Sequence, residues 1–357
     1  MILVAVQTCG TGAFVGPSWT VESRLGMRRA RFWTIVVGAA CAAGLALPAG
    51  AGSERTGGVA EAAIFYYPWY STPARDGSWA HWYVEREGES PVLSTPFYPL
   101  RGLYSSSNVK LVSAQMREIA ATGVRTVVVS WWGFGSPEDL RLPLVTSAAN
   151  RAGLSVAIHI EPYRGRTPRS AAEDISVLQK DGVTDFYVYD ADREPASAWA
   201  DALADLDCVR VFGHTHLVGR AKAAGFDGFY TYDVATWNGN TFARICSQAH
   251  RAGLLCAPSV GPGYDARLAT LDTIVRPRLR GATYDRMWRA AVRAKADVVT
   301  ITSYNEWQEG TQIEPARIQV ERLGYEGAWG ASGASAQRAY LEATARWVAR
   351  YRAAAVQ

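Results

Sequence analysis

From residue 61 onward, short runs of apolar residues alternate with longer stretches in which apolar positions recur every three or four residues. The runs fall at 62–67, 126–130, 154–160, 185–189, 209–213, 228–232, 254–260 and 298–303. Several are apolar throughout. Alternation marks a strand with one wet face, whereas unbroken apolarity marks one buried on both, as in a parallel sheet. The stretches between them predict helices at 109–122, 138–152, 170–180, 194–206, 217–224, 241–252, 284–295 and 335–355. The first carries Val109, Leu111, Val112, Met116, Ile119 and Ala120 at helical spacing and stops at Gly123. The last presents Tyr340, Leu341, Trp347, Val348 and Tyr351 on one stripe. Eight strand–helix units in succession predict the α/β class and a single (β/α)8 barrel of the TIM type. An open doubly wound sheet is the rival, but no Gly-rich phosphate fingerprint follows the first strand. The segment 70–108, rich in Pro, Ser, Trp and Tyr, reads as a long loop walling the barrel mouth.

In such barrels the chemistry sits at the C-terminal ends of the strands. That edge collects Tyr67, Trp69, Asp76, His81 and Trp82 after the first run, and Trp131 and Trp132 after the second. It collects Glu161, Tyr163 and Arg166 after the third, Tyr189 and Asp190 after the fourth, and Tyr232 and Asp233 after the sixth. Tyr264, with Arg276 further on, follows the seventh, and Asn305, Glu306, Trp307 and Glu309 follow the eighth. Aromatic faces suit the C–H faces of sugars. Two carboxylates three residues apart past a buried strand suit acid/base work on a glycosidic bond, which needs one protonated and one ionised. Trp307 would be a dry wall raising the acid's pKa, and Asn305 or Tyr264 would supply donors to the base. His159, inside a strand, reads as a core histidine. Sequence spacing alone leaves direct carboxylate attack and participation by a substrate hydroxyl equally open.

Composition narrows the partners. The chain has 48% hydrophobic and 20% charged residues and a net charge of +4, with no basic block of the kind that tracks nucleic acid. Thirteen Trp and seventeen Tyr exceed what a core requires. Residues 27–51 read as a signal peptide: Met27-Arg28-Arg29-Ala30-Arg31 is basic, 32–47 is apolar, and Ala49-Gly50-Ala51 is a small-residue cleavage site. Residues 1–26 then read as upstream sequence assigned to the chain in error. The mature domain would be 52–357, secreted, monomeric and free of stable membrane association once the signal is cut. Export leaves Cys208, Cys246 and Cys256, so at most one bridge, Cys246–Cys256, is expected, with three buried thiols as the alternative. No Cys/His cluster with metal-ligand spacing stands out.

Ordered blocks of residues now become recognisable. They are Phe65-Tyr66-Tyr67 with Trp69-Tyr70, Asp76-Gly77 and His81-Trp82; Ser130-Trp131; His159-Ile160-Glu161-Pro162-Tyr163; and Phe186 to Asp190. Further on come Gly225 to Tyr232, Pro258 to Tyr264, Arg276-Pro277, and the most specific block, Thr302-Ser303 with Asn305-Glu306-Trp307 and Glu309 to Glu314. With these the chain resembles glycoside hydrolase family 99, the endo-α-1,2-mannosidase and endo-α-1,2-mannanase group. The resemblance implies a (β/α)8 fold and a retaining, endo-acting enzyme that uses the substrate's own 2-hydroxyl. It makes Glu306 the base that removes that proton, giving a 1,2-anhydro sugar, and Glu309 the acid and then the base that activates water. It places Tyr67, Asp76, Trp131, Glu161, Tyr163, Tyr232, Tyr264 and Arg276 around the substrate, an α-mannan-like glycan, and implies no metal or organic cofactor. Gln308 stands where the family often has His, and Asp233 where an aromatic is common; both bear on the glycan accepted. Rival readings are a non-catalytic glycan-binding protein and a domain associated with polysaccharide synthesis.

Overall fold

The computed structural model describes residues 60–355, apart from 89 and 271. The expected signal segment 27–51 and the stretch 1–26 lie outside the described residues. Eight parallel strands form the centre: β1 (Glu61–Tyr66), β2 (Thr126–Trp131), β3 (Ser155–Ile160), β4 (Asp185–Val188), β5 (Arg210–His214), β6 (Gly228–Tyr230), β7 (Leu255–Ala257, resuming as Ser259–Val260) and β8 (Val298–Ile301). Each pairs with its sequence neighbour, and β1 also pairs with β8 through Ala62↔Val299 and its adjacent residues. The ring closes at β7. Its first half pairs with β6 and its second with β8. Pro258 separates the halves because it has no N–H to give the ladder, but its carbonyl still accepts from Thr300 N–H at 3.2 Å.

A helix follows every strand: α1 (Val109–Ala121), α2 (Pro137–Arg151), α3 (Pro168–Lys180), α4 (Ala196–Leu203), α5 (Val218–Ala223), α6 (Phe242–Ala252), α7 (Ala282–Arg293) and α8 (Gly333–Ala355). Local chemistry sets their starts. Asn108 and Ser136 cap the first N–H groups of α1 and α2, and Thr167 and Ser170 close a reciprocal box at α3. Cys246 on α6 is bonded to Cys256 on β7, pinning helix to strand.

Alternation along the strands builds two cores. Ala62, Ile64 and Tyr66 face the helices, while Ala63, Phe65 and Tyr67 face the barrel interior. The interior is filled by rings. Phe65 meets Tyr187, Tyr230 and Tyr232, and Tyr187 stacks on Phe212 at 4.8 Å. Gly228 makes room for this layer, since a Cβ there would lie 2.7 Å from the Phe212 ring. The inward register continues one step past the strand ends: Tyr67 follows Phe65, Glu161 follows His159, Tyr189 follows Tyr187, and Tyr232 follows Tyr230. The same alternation that packs the barrel thus aims these four side chains at its mouth.

Candidate active site

A cavity of about 190 Å³ opens at that mouth. Glu306 and Glu309 both line it, together with Glu161, Tyr67 and Tyr232. Trp69, Trp132, Tyr189, His159, Pro162, Thr270 and Gln308 complete the wall.

The loop after β8 carries the two glutamates in a tight turn. Ser303 Oγ accepts from Glu306 N–H at 2.8 Å, Trp307 O accepts from Gly310 N–H at 3.2 Å, and Thr311 O accepts from Ser303 N–H at 3.0 Å. Gly310 sits at φ +63°, where a Cβ would come within 3.2 Å of the Asp265 backbone. Asp265 N–H in turn donates to Glu309 O at 2.8 Å. Asn305 ties the turn to β1: Tyr67 N–H donates to Asn305 Oδ1 at 2.8 Å, and Asn305 Nδ2 donates to Tyr67 O at 2.9 Å. Beneath lies Glu314, fully buried, accepting from Tyr104 Oη at 2.7 Å, Gln115 Nε2 at 2.8 Å and Trp307 Nε1 at 2.9 Å. That carboxylate is a structural anchor for the turn.

The electrostatics of the pair are unusual. Burial pushes the Glu306 carboxyl well above its ordinary range, and the charges of Glu309 and Glu161 push it further; only the Glu309 backbone N–H pulls it down. Glu309 is pushed up to about 8, first by burial and then by Asp233, Glu161 and Asp272. Glu309 is opposed by negative neighbours on several sides. Tyr67 and Tyr232 hydrogen-bond to each other through their phenols. Burial, with the glutamates close by, raises both phenols well above the usual value, so they remain protonated donors. Tyr232 has φ +38°, a conformation that L residues with bulky side chains rarely adopt, at the bend that turns it inward. Glu161 accepts from Ser130 Oγ at 2.8 Å, and its Oε1 lies 2.9 Å from His159 Nδ1. His159 Nε2 is 2.8 Å from Tyr230 Oη. The expected core histidine is buried as anticipated, and it also forms part of the cavity wall.

Five of the expected substrate-binding residues are placed otherwise. Asp76 is not part of the cavity wall: it accepts from Thr72 N–H at 2.8 Å and Ser107 Oγ at 2.9 Å, beside Arg141. Trp131 is fully buried, its Nε1 donating to Asp139 at 2.9 Å, and the neighbouring Trp132 lines the cavity instead. The Tyr163 phenol donates to Asp174. The Tyr264 phenol donates to Asp272 at 2.9 Å, and Arg276 donates to Ala235 O at 2.6 Å. The last two belong to a hairpin, Tyr264–Asp265 with Val275–Arg276, that borders a neighbouring pocket. The expected supports of the acid and base also differ. Trp307 is buried under the turn, so Tyr67, Trp69, Tyr189 and Tyr232 form the dry wall. Asn305 and Tyr264 donate elsewhere. Trp69 and His81 stack at 4.3 Å, and His81 Nδ1 lies 3.4 Å from Gln308 Oε1, which links the long β1–α1 loop to the turn that carries Glu306 and Glu309.

His214, His216 and Asp233 are the one group among the described residues whose donor atoms converge as metal ligands do. The hydrogen bonds oppose that use. His214 Nδ1 accepts from Asp190 N–H at 3.3 Å, which makes Nε2 the protonated nitrogen, facing Thr231 O at 3.3 Å and Asp233 at 3.4 Å.

A parallel (β/α)8 barrel with an aromatic-walled cavity and two paired, partly neutralised glutamates at its C-terminal mouth defines a class: the glycoside hydrolases. Comparison with known proteins then specifies it. The model of Glycosyl hydrolase family 99 matches residues 60–353, and the chain belongs to that family. A "glycoprotein endo-alpha-1,2-mannosidase-like protein" of Danio rerio is 31% identical, over 71% of this chain and 70% of that one. The "glycoprotein endo-alpha-1,2-mannosidase" of Xenopus laevis is 30% identical, over 81% and 76%. The solved GH99 endo-alpha-mannosidase of Bacteroides thetaiotaomicron superposes with a TM-score of 0.73 at 29% identity, covering 82% of this chain and 98% of that one.

Proposed function

We propose that this glycoside hydrolase is an exported, retaining, endo-acting α-mannosidase that works through the substrate's 2-hydroxyl. The observation that carries the reading is that Glu306 and Glu309 face one cavity and that burial and neighbouring carboxylates raise both carboxyls. In an α-mannoside the 2-hydroxyl is axial and anti to the departing oxygen, so its oxygen can attack C1 from the back. Glu306 takes the 2-hydroxyl proton, the O2–C1 bond forms, the C1–leaving-oxygen bond breaks, and Glu309 protonates the departing oxygen. Glu309, now ionised, takes a proton from water as that water opens the 1,2-anhydro ring at C1, and Glu306 returns the proton to O2. Two inversions give net retention. The phenols of Tyr67 and Tyr232 and the faces of Trp69 and Trp132 line this cavity, which supports a role for them in holding the sugar.

The α-1,2 linkage and internal cleavage rest on what the relatives are called. Export is supported by the basic-apolar-small pattern at 27–51 and by the Cys246–Cys256 bond, which fits an oxidising compartment. The test is digestion of α-1,2-linked manno-oligosaccharides and α-mannan, read by mass spectrometry, with Glu306→Gln and Glu309→Gln alongside. Each variant is expected to lose at least ~100-fold in kcat. Binding without cleavage by the wild type would favour a glycan-binding protein, and wild-type turnover in either variant would remove that residue from the mechanism.

A further inference from the structure

We propose that Arg278, which lies outside the cavity wall, is the positioning residue that holds Glu309 at the angle needed to protonate the leaving oxygen. The proposal rests on the reading of Glu309 as the acid. Arg278 Nη2 donates to Gly310 O at 2.9 Å and to Gln312 O at 2.7 Å, clasping the backbone immediately after Glu309. Its Nε and Nη1 are buried and make no hydrogen bond. The guanidinium is boxed instead by three rings, its carbon 4.6 Å from the Phe97 centroid, 4.9 Å from Tyr325 and 4.7 Å from Tyr340. A planar cation among aromatic faces is held in both position and tilt. The stem passes under Gly263, where a Cβ would lie 2.8 Å from Arg278 Cγ, so the turn after β7 is shaped to let it through. Glu309 O is fixed from the other side by Asp265 N–H. The acid is thereby gripped at its own carbonyl and at the next one. Gly310 at φ +63° would otherwise leave that link loose.

The structure offers this guanidinium no role in binding sugar. Its hydrogen bonds go to backbone, and it borders the pocket beside the Tyr264–Arg276 hairpin rather than the catalytic cavity. Its effect should therefore appear only where protonation of the leaving group matters. The experiment compares two substrates: an α-1,2-linked manno-oligosaccharide, whose departing sugar needs a proton, and the matching oligosaccharyl α-fluoride, which does not. First-turnover rates are read for the wild type, Arg278→Met and Glu309→Gln, with melting temperatures for all.

Arg278→Met is expected to lose at least ~30-fold in the rate on the oligosaccharide, with KM within about threefold, and less than about threefold in fluoride release, the scale of a misplaced catalytic group. Equal losses on both substrates, or no loss on either, would overturn the proposal. If Glu309→Gln itself lost fluoride release as severely as oligosaccharide cleavage, the acid assignment would fall, whatever Arg278 does. Should Arg278→Met not fold, Phe97→Leu, which opens one side of the ring box and leaves the cation in place, must show the same substrate split on a smaller scale. Equal or absent losses in that variant would count against the proposal.

Discussion

Glu309 carries two consequences of one environment. Burial and its acidic neighbours lift its carboxyl to about 8, so it holds a proton at neutral pH and can donate it. The rate should fall as pH rises through about 8, read as the alkaline limb of kcat against pH; a limb that stayed in place in Glu309→Gln would assign it to another group. The same shift works against the fold. A carboxyl whose pKa is higher folded than unfolded binds its proton more tightly in the native state, so stability falls as pH rises from the unfolded value toward the folded one. Glu309→Gln removes this penalty. That variant should melt above the wild type at pH 7, by roughly 2–4 °C per kcal/mol relieved, and the gain should shrink at pH 4. A lower melting temperature at pH 7 would contradict the burial argument. At this scale the sequence was only half legible. Tyr67, Glu161, Tyr189 and Tyr232 could be placed because they continue an inward register past a strand end, and Glu306 and Glu309 because two carboxylates follow a buried strand directly. Asp76, Trp131, Tyr163, Tyr264 and Arg276 could not, because their partners, Ser107, Asp139, Asp174, Asp272 and the carbonyl of Ala235, lie on loops and helices whose course no periodicity reveals. Trp69 and Trp132 stood at the strand ends from the start, and the turn of the chain after each strand selected them over their neighbours.

The elements themselves were more legible, since apolar runs and Gly stops mark strands and helices directly. The run at 254–260 reads as one strand, and Pro258 explains its division into two halves that serve different neighbours. The helix expected at 194–206 is shorter, Ala196–Leu203, with a 3-10 turn, Ala191–Arg193, ahead of it. The Cys246–Cys256 bond spans a sequence separation of 10 and ties α6 to the strand that closes the ring. Closing a loop of this length stabilises by about 2–3 kcal/mol on the chain-entropy account. The double variant Cys246→Ser/Cys256→Ser should therefore melt lower by roughly 4–8 °C in calorimetry, with kcat little changed, because the bond lies between helix and strand rather than at the mouth. An unchanged melting temperature would mean that the bond does not restrict the unfolded chain as that account requires.

For the whole molecule, eight strand–helix units and a rim of aromatics and carboxylates lead to a barrel with a sugar-sized hollow. The glycan is less determined, because the cavity wall includes Gln308 and Trp69, both backed by His81, and such loop residues set which neighbouring sugars fit. The hydrogen bonds around His214 argue that catalysis runs without the His214–His216–Asp233 group as a metal site, so turnover should be unchanged after exhaustive dialysis against EDTA. A loss restored by a divalent cation would reopen that group. The central claim, that Glu306 and Glu309 together cleave an internal α-mannosidic bond with retention, is tested most directly by NMR of the first sugar released from an α-1,2-linked manno-oligosaccharide. The account predicts an oligosaccharide whose new reducing end appears first as the α-anomer. A β-anomer appearing first would contradict it, as would an intact oligosaccharide after prolonged incubation with folded protein.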